Sequence, residues 1–182
     1  MRFGYFVYIL ICSTLVSCKT KPDKIINMGV YTMKIPKEWK KIELNNIDSQ
    51  VFGILTGDGD TIVSDYGIHI GKFNETVKVF TKKQLFYYTK VKMDTTGLFS
   101  SDFPEIDQSQ GTFLKEFYFY EKIDGKVGKI QVAKKKIGNT GILFYKAFQD
   151  VYSLKITSKN LSDSNKKLFI EAIYTIKFKK PL

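Results

Sequence analysis

The sequence predicts a single α+β domain, in which a mostly antiparallel, twisted sheet is packed by a C-terminal helix and by a shorter helix near residues 82–91. Apolar and polar residues alternate in several runs that short Gly-, Asn- and Asp-containing turns separate, which is typical of antiparallel hairpins. Near the C-terminus, apolar residues recur at the spacing of one helix face. The length of 182 residues also suits one domain with a sizeable core.

Residues 1–17 have the composition of an export signal. One positive charge, Arg2, precedes an almost unbroken apolar run that ends in small residues. A membrane-spanning helix needs about 20 apolar residues, whereas this run is shorter and is closely followed by Lys19 and Lys21. The sequence therefore predicts a cleaved targeting segment and not a membrane span.

The end of this run, Leu15-Val16-Ser17-Cys18, resembles the lipobox of bacterial lipoproteins at all four motif positions. The resemblance implies that Cys18 is lipidated and becomes the mature N-terminus. An ordinary signal peptide with an incidental cysteine is the alternative. Cys12 lies too early in the run to take this role. Because a lipoprotein carries two or three acyl chains, its attachment to the membrane is expected to be stable.

Residues 18–28 are predicted to be the lipidated N-terminus and a short polar tether, and residues 29–182 the folded domain. Even fully extended, such a tether spans only about 35 Å. We therefore expect the domain to stay close to its membrane.

The first strand is predicted at residues 29–36, where alternation ends at Pro36. Residues 51–56 and 61–71 are predicted to form a hairpin around Gly57-Asp58-Gly59-Asp60. In the second run, four apolar side chains are expected to share one face: Ile62, Tyr66, Ile68 and Ile70.

The pattern then changes to that of a helix. Thr81-Lys82-Lys83-Gln84 has the spacing of a capping box and predicts a helix that ends near Val91. Leu85 and Tyr88 would form its buried stripe, with Phe80 packed on Leu85. Residues 93–111 are predicted to be a long loop, and loops of that length are either functional or contain an unrecognised element.

A four-stranded antiparallel meander is predicted next, and its strands are residues 112–122, 127–137, 142–148 and 151–158. The turns are Asp124-Gly125, which is a strong hairpin signal, and Gly138-Asn139-Thr140-Gly141. In the first strand, three phenylalanines are expected to point one way, towards the core: Phe113, Phe117 and Phe119. Leu114, Tyr118 and Tyr120 would form a half-exposed or helix-covered face.

The last helix is predicted to start at Ser162-Asp163-Ser164. Its apolar stripe would pack on the sheet and consists of Leu168, Phe169, Ala172, Ile173 and Ile176. Residues 175–178 are predicted to leave the helix as a short terminal strand.

Residue usage excludes several kinds of site. Once Cys12 is removed and Cys18 is lipidated, no thiol remains for a disulfide, a catalytic cysteine or a Cys-rich zinc site. His69 is the only histidine, so a metal would need mostly oxygen ligands. The sequence predicts neither a cofactor nor a metal site.

His69 lies near Ser64 and Asp65, and these three residue types could supply a base, a nucleophile and an orienting acid. Strand alternation puts Ser64 on the face opposite Asp65 and His69, which favours a surface histidine instead.

Asp58-Gly59-Asp60 could begin a calcium loop, but an EF-hand requires glycine and glutamate where this chain has Val63 and His69. A hairpin turn is the favoured interpretation.

Aromatic side chains could stack on sugar rings, although Trp39, which follows a strand that ends at proline, is more typical of a core anchor. The weak ligand-site candidates are Trp39, Asp65, His69, Tyr118 and Tyr120.

The net charge of +11 comes mainly from lysines. A stripe of them could face phosphorylated lipid or an acidic protein, with a solvated lysine surface as the favoured alternative: Lys122, Lys126, Lys129, Lys134, Lys135, Lys136 and Lys146.

Two family resemblances are present. Residues 31–39, the Asp-Gly-Asp turn at 58–60, Asp65-Tyr66-Gly67 and residues 174–178 resemble small uncharacterised lipoproteins of the Bacteroidetes. The first strand with its proline and tryptophan, together with the last helix and its Ile176-Lys177-Phe178 end, resembles the PsbP-like α/β/α sandwich. The second resemblance implies an antiparallel sheet between helices and a noncatalytic binding or assembly role, with no functional residue transferred.

The sequence thus favours a lipid-anchored, non-catalytic binding or assembly module of the cell envelope. Lys19 after Cys18 favours the periplasmic face of the outer membrane. The expected partners are the membrane and an envelope or other periplasmic protein, and nucleic acid is excluded by export. One alternative is an immunity-type inhibitor of a periplasmic toxin. Another is a hydrolase or carbohydrate-active domain, in which residues 93–111 would cover a pocket containing Asp65 or His69.

Overall fold

The computed structural model describes residues 23–44 and 49–179, which form an α+β domain. Its strands are β1 (Asp23–Asn27), β2 (Tyr31–Pro36), β3 (Lys40–Glu43), β4 (Gln50–Leu55), β5 (Thr61–Gly67), β6 (Val79–Thr81), β7 (Phe99–Ser101), β8 (Glu116–Ile123), β9 (Lys126–Ala133), β10 (Asn139–Phe148), β11 (Tyr152–Lys159) and β12 (Lys177–Phe178). Its helices are α1 (Lys82–Lys90), α2 (Pro104–Gln110) and α3 (Asp163–Ile173). None of these helices has the length and apolar composition needed to cross a membrane.

The large sheet has seven strands in the order β3-β4-β5-β11-β10-β9-β8, and every neighbouring pair is antiparallel. This confirms the predicted hairpin at residues 51–71 and the predicted meander. Between β8 and β9, Asp124 and Gly125 have φ angles of 46° and 84°. Positive φ at both central residues is the requirement of the type I′ turn, which matches the natural twist of paired strands.

One face of the large sheet, the core face, carries the main hydrophobic core. Its buried side chains come from five strands: Ile54, Ile62, Ile130, Ile142, Phe144, Leu154 and Ile156. The β1-β2-β12 sheet and α3 cover this face. In α3, Phe169, Ala172 and Ile173 are buried, and the Ser162 hydroxyl accepts a hydrogen bond from the Asn165 amide. The predicted C-terminal helix, its start and the terminal strand are therefore confirmed.

The opposite face of the large sheet, called the second face, is covered by residues 68–115. A small apolar cluster of Ile70, Phe73 and Leu143, with Tyr118 packed against it, fixes this segment to the sheet. Beyond the cluster, β6 and β7 form a parallel pair, and α1 and α2 pack against these two strands. Neither α1 nor α2 contains a buried residue. This cover is therefore packed less tightly than α3.

The predicted tether of residues 18–28 extends too far into the chain. Asp23–Asn27 forms β1, which pairs antiparallel with β2. Ile26 and Met28 are buried in the main core, which explains why this segment is ordered into the sheet. The predicted leader, the lipobox with Cys18, and residues 19–22 lie outside the described residues.

Residues 93–111 contain the unrecognised elements that a loop of this length can hide, namely β7 and α2. Pro104 occupies the first turn of α2, where its missing N–H costs no hydrogen bond. Gly111 ends α2 in the left-handed conformation, with a φ of 64°. Strand β3 was also not predicted, and it is a short edge strand of the large sheet.

Three predictions of burial were wrong. Helix α1 has the predicted capping box, but Leu85 and Tyr88 are only half-buried, and Phe80 packs edge-on against Tyr88 at 5.4 Å between ring centroids. Strand β5 ends at Gly67, so Ile68 is exposed and Ile70 joins the second-face cluster. Phe117 and Phe119 lie opposite Val132 and Ile130 on the core-face side, but β8 is an edge strand and both phenylalanines are exposed.

Candidate ligand-binding site on the second face of the sheet

A cavity of about 480 Å³, called here the polar cavity, lies between the second face and residues 73–74, 76–77, 99 and 113–115. Its volume falls within the range of about 300–1,000 Å³ that is typical of small-molecule sites. The sheet supplies its floor, and the side chains there are Glu116, Tyr118, Gln131, Asn139, Lys155, Thr157 and Lys159. The structure therefore leaves a ligand-sized space on a sheet face that the sequence suggested would be covered.

Strand register explains why the floor is open. Gly141 of β10 pairs with Gln131 of β9 on one side and with Thr157 of β11 on the other. Side chains of directly paired residues share a face, so this row has no side chain at its centre. A Cβ added to Gly141 would lie only 2.1 Å from the Ile156 carbonyl oxygen, so the position requires glycine.

Residues 71–75, called here the strap, are fixed across the second face by three hydrogen-bonded contacts. Tyr118 Oη donates to the Asn74 carbonyl oxygen at 3.1 Å, and Lys155 Nζ donates to the Gly71 carbonyl oxygen at 3.4 Å. Lys129 Nζ lies 2.5 Å from a carboxylate oxygen of Glu75. Burial lowers the pKa of Lys129, but the hydrogen bonds and charges of Glu75 and Tyr120 outweigh it, and the net shift is upward.

The floor also contains a satisfied polar network. The buried carboxylate of Glu116 accepts hydrogen bonds from the Asn139 backbone N–H at 2.9 Å and from its side-chain amide at 3.2 Å. Gln131 Nε2 donates to Tyr118 Oη at 3.0 Å. Burial and the negative charge of Glu116 raise the pKa of Tyr118, so this phenol stays neutral. Such a network holds the floor in one arrangement before any ligand arrives.

The charges that line the polar cavity are predominantly positive. Lys115, Lys155 and Lys159 are cationic, whereas Glu116 is the only acid among the described residues that line it. Lys115 and Lys159 are exposed. The Lys155 ammonium is held by the strap, where it contacts the Gly71 carbonyl oxygen and lies 5.2 Å from the Phe73 ring centroid. The balance of charge therefore favours an anionic ligand.

Of the five predicted ligand-site residues, only Tyr118 lines the polar cavity. Tyr120 lies two residues further along β8, where it is exposed and lines a neighbouring space with Lys129. Trp39 is 1% exposed in the main core, so its aromatic ring is a core anchor and cannot stack on a sugar.

Asp65 and His69 do not line the polar cavity. Asp65 lies on the second face opposite Lys155, and its Oδ1 is buried without a hydrogen-bond partner among the described residues. His69 is exposed beyond the end of β5. Ser64 is buried on the core face, where it accepts a hydrogen bond from Tyr31 Oη at 2.9 Å. The three residues therefore cannot act together as a catalytic triad.

The Asp58-Gly59-Asp60 turn is bound to the start of α3. The Asn165 side-chain amide donates to Asp60 Oδ2 at 2.9 Å and to Asp58 Oδ2 at 3.2 Å. The same amide nitrogen lies 3.3 Å from Thr56 Oγ1. The two carboxylates thus have a structural role, in which they join the β4–β5 hairpin to α3.

Sequence reasoning missed Glu116, Gln131, Asn139 and Thr157. Gly138-Asn139-Thr140-Gly141 was interpreted as a turn, but β10 already begins at Asn139. The available signal was Gln131, a polar residue beside Ile130 and Val132 in β9, since a buried polar side chain needs a partner. Thr157 gave no comparable signal, because β11 carries several polar residues. Comparisons of this chain with protein-family models, with curated proteins and with solved structures found no match, so they support neither family resemblance.

Proposed function

We propose that this protein is a lipid-anchored protein of the cell envelope whose domain is a non-catalytic binding module, and that it holds a small anionic ligand in the polar cavity. The observation that carries the proposal is the cavity itself, which combines three lysines with amide and hydroxyl groups on a preorganised floor. Lysine ammonium groups and neutral donors are the groups that carboxylates and phosphates bind in proteins.

The arrangement of the floor supports binding rather than catalysis. The described residues that line the polar cavity include no Cys, His or Ser. The carboxylate of Glu116 is already engaged by Asn139. General-base catalysis needs a free base within hydrogen-bond reach of a nucleophile. The Glu116 carboxylate lies 3.4 Å from Tyr118 Oη, but Tyr118 is itself bound to Asn74 and Gln131, so both groups have structural partners.

Anchoring is supported by Leu15-Val16-Ser17-Cys18 and by the position of β1. Since Asp23 is already part of β1, at most residues 19–22 separate Cys18 from the fold. Such a link spans about 14 Å when fully extended. The proposal therefore has the domain directly beside its membrane, at the periplasmic face of the outer membrane, as Lys19 favours.

The test is thermal unfolding of residues 19–182, which retain every described element. The probes are citrate, inorganic phosphate and acetate, each compared with chloride at equal ionic strength. An anion present at about 100 times its Kd stabilises the folded state by about 2.7 kcal/mol, which raises the Tm by about 5–10 °C in a domain of this size.

We expect citrate or phosphate to raise the Tm and the double variant Lys115→Glu, Lys159→Glu to abolish that increase. Both lysines are exposed and line the polar cavity, so the fold tolerates the change. Lys37→Glu, Lys40→Glu is the matched control, because these lysines are exposed but lie outside the cavity lining. An equal increase in all three proteins, or none beyond chloride, would contradict the proposal.

A further inference from the structure

A second space, called here the apolar cleft, adjoins the polar cavity. It has a volume of about 580 Å³ and is lined by four apolar side chains, Phe99, Phe113, Leu114 and Ile137. The Phe99 and Phe113 rings are stacked, with centroids 4.9 Å apart. Three of these residues, with Lys115, also line the polar cavity, so the two spaces meet along a shared wall.

Ile137 is the most unusual part of this wall. Its side chain is 68% exposed, although it lies in the short connection between β9 and β10 beside other apolar residues. Leaving an isoleucine in water forfeits much of the stabilisation that full burial of such a side chain contributes. An apolar group that fills the cleft would cover it.

The charge of the cleft has one sign. Lys115, Lys134, Lys135 and Lys136 line it, and no acidic residue is among the described residues that do so. The Lys134 ammonium already has partners, since Nζ donates to the Gly111 carbonyl oxygen at 3.5 Å and lies 5.0 Å from the Phe117 ring centroid. Asp163, whose pKa is lowered mainly by Lys166, also feels the charge of Lys136. Lys115 is the cation common to both spaces.

We propose that the apolar cleft binds the alkyl chain of a single-chain amphipathic anion, such as a long-chain fatty acid, and that the anionic head lies at Lys115 where the two spaces meet. This inference rests on the proposed function and specifies its ligand class. Complementarity of shape and charge supports it, because an apolar cleft beside stacked aromatic rings fits an alkyl chain and the surrounding lysines favour a negative head. A neutral or cationic amphiphile of the same length gains the apolar contact without the charge pairing.

The experiment is calorimetric titration of residues 19–182 with dodecanoate, kept below the concentration at which it forms micelles. We expect saturable binding of one dodecanoate per chain. Dodecanol and dodecyltrimethylammonium should bind at least about tenfold more weakly, which corresponds to the loss of one favourable charge interaction. Equal affinity for all three amphiphiles would overturn the proposal.

Ile137→Ser tests the position of the chain. We expect it to weaken dodecanoate binding about tenfold, because it removes apolar contacts to the alkyl chain and places a hydroxyl group beside it. Ile25→Ser is a closely matched control, since Ile25 of β1 is 69% exposed and Ile137 is 68% exposed. Equal effects of the two substitutions would show that the alkyl chain does not lie in the cleft.

Lys115→Glu tests the position of the head. It should weaken dodecanoate binding about tenfold and leave dodecanol binding unchanged, whereas Lys37→Glu should affect neither. Vesicles of phosphatidylglycerol provide a further test. If the domain binds them in a manner that depends on Ile137 but does not bind monomeric dodecanoate, the cleft is a membrane contact and the proposal is overturned. If citrate or phosphate stabilises the domain through Lys115 and Lys159 while dodecanoate does not bind, this inference fails and the proposed function stands. If none of these anions binds, both fail.

Discussion

At the scale of single residues, Tyr31 shows how the core accommodates a polar group. Its side chain is fully buried, and its hydroxyl donates a hydrogen bond to Ser64 Oγ at 2.9 Å. Burial raises the pKa of this phenol well above its usual value, while the hydrogen bond to Ser64 lowers it by less. Tyr31 is therefore neutral in the folded state at a pH where the same side chain ionises in the unfolded chain.

This difference in pKa predicts a loss of stability at alkaline pH. An unfolded tyrosine titrates near pH 10, so above that pH the folded state binds one proton more than the unfolded state at this site. The contribution of Tyr31 to the free energy of unfolding is thus fully present below pH 10 and falls above it by about 1.4 kcal/mol per pH unit. Tyr31→Phe should remove that part of the slope, as measured by urea unfolding at pH 8, 10 and 11.

At pH 8 the same substitution should cost only about 1 kcal/mol, because it removes one hydrogen bond to Ser64. Tyr87→Phe is the control, since Tyr87 of α1 is exposed, and this variant should lose stability at alkaline pH as the wild type does. Tyr66, Tyr118 and Tyr174 also have raised pKa values and remain in both variants. Parallel profiles for wild type and Tyr31→Phe would show that this phenol does not govern the alkaline loss.

At the scale of secondary-structure elements, the two faces of the large sheet are covered in different ways. Helix α3 buries Phe169, Ala172 and Ile173 against the core face. Helices α1 and α2 bury no residue, and their segment is fixed to the second face mainly by the strap and by Ile70. A segment with few buried apolar contacts opens at lower free energy than the core strands. The same segment supplies Phe73, Val77 and Phe99 to the wall of the polar cavity, so its opening would admit a ligand.

Hydrogen exchange tests this difference. Amides of α1 and α2 should exchange at least about 100-fold faster than those of β10 and β11 under native conditions, because local opening exposes them without global unfolding. Helix α3 is the internal control, since it has eleven residues against nine in α1 but buries its apolar stripe. Equal protection of all three helices would show that the cover of the second face opens only with the whole domain.

Local signals were sufficient for most elements and failed where pairing partners are distant in the chain. The capping box at Thr81 and Gln84 and the Asp124-Gly125 turn act over a few residues, and both predictions are confirmed. Strand β1 exists because β2 pairs with it, and its own polar composition resembled a tether. Pro104 and Gly111 were interpreted as loop residues, although proline at a helix start and glycine at its end are also the signals of a short helix.

The candidate site was less predictable than the fold because its residues meet only through the sheet register. Tyr118 was identified from the alternation of β8, but the row that continues from it through Gln131, Gly141 and Thr157 depends on three strand pairings. A change of one residue in any register would turn these side chains to the other face. Asn165 likewise binds Asp58 and Asp60 from more than 100 positions away in the chain.

At the scale of the whole molecule, the fold restricts how the proposed anchor and the binding site are related. The chain enters the fold at β1, which belongs to the sheet covering the core face, whereas the polar cavity and the apolar cleft involve the second-face cover. Burial of Ile26 and Met28 ties β1 into the main core. An anchor at Cys18 would therefore attach to a rigid part of the domain and leave the more loosely packed cover free to open.

The anchor itself is tested by Cys18→Ser in the full chain. We expect this substitution to abolish incorporation of radiolabelled palmitate and to leave residues 1–17 attached, because a hydroxyl cannot form the thioether that lipoprotein processing requires. Cys12→Ser is the matched control, since it removes the other cysteine and lies inside the apolar run rather than at its end. Cys12→Ser should be labelled, processed and found in the membrane fraction like wild type. Processing and labelling of Cys18→Ser would contradict lipid attachment at this cysteine. The short link before β1 would then no longer determine where the domain acts.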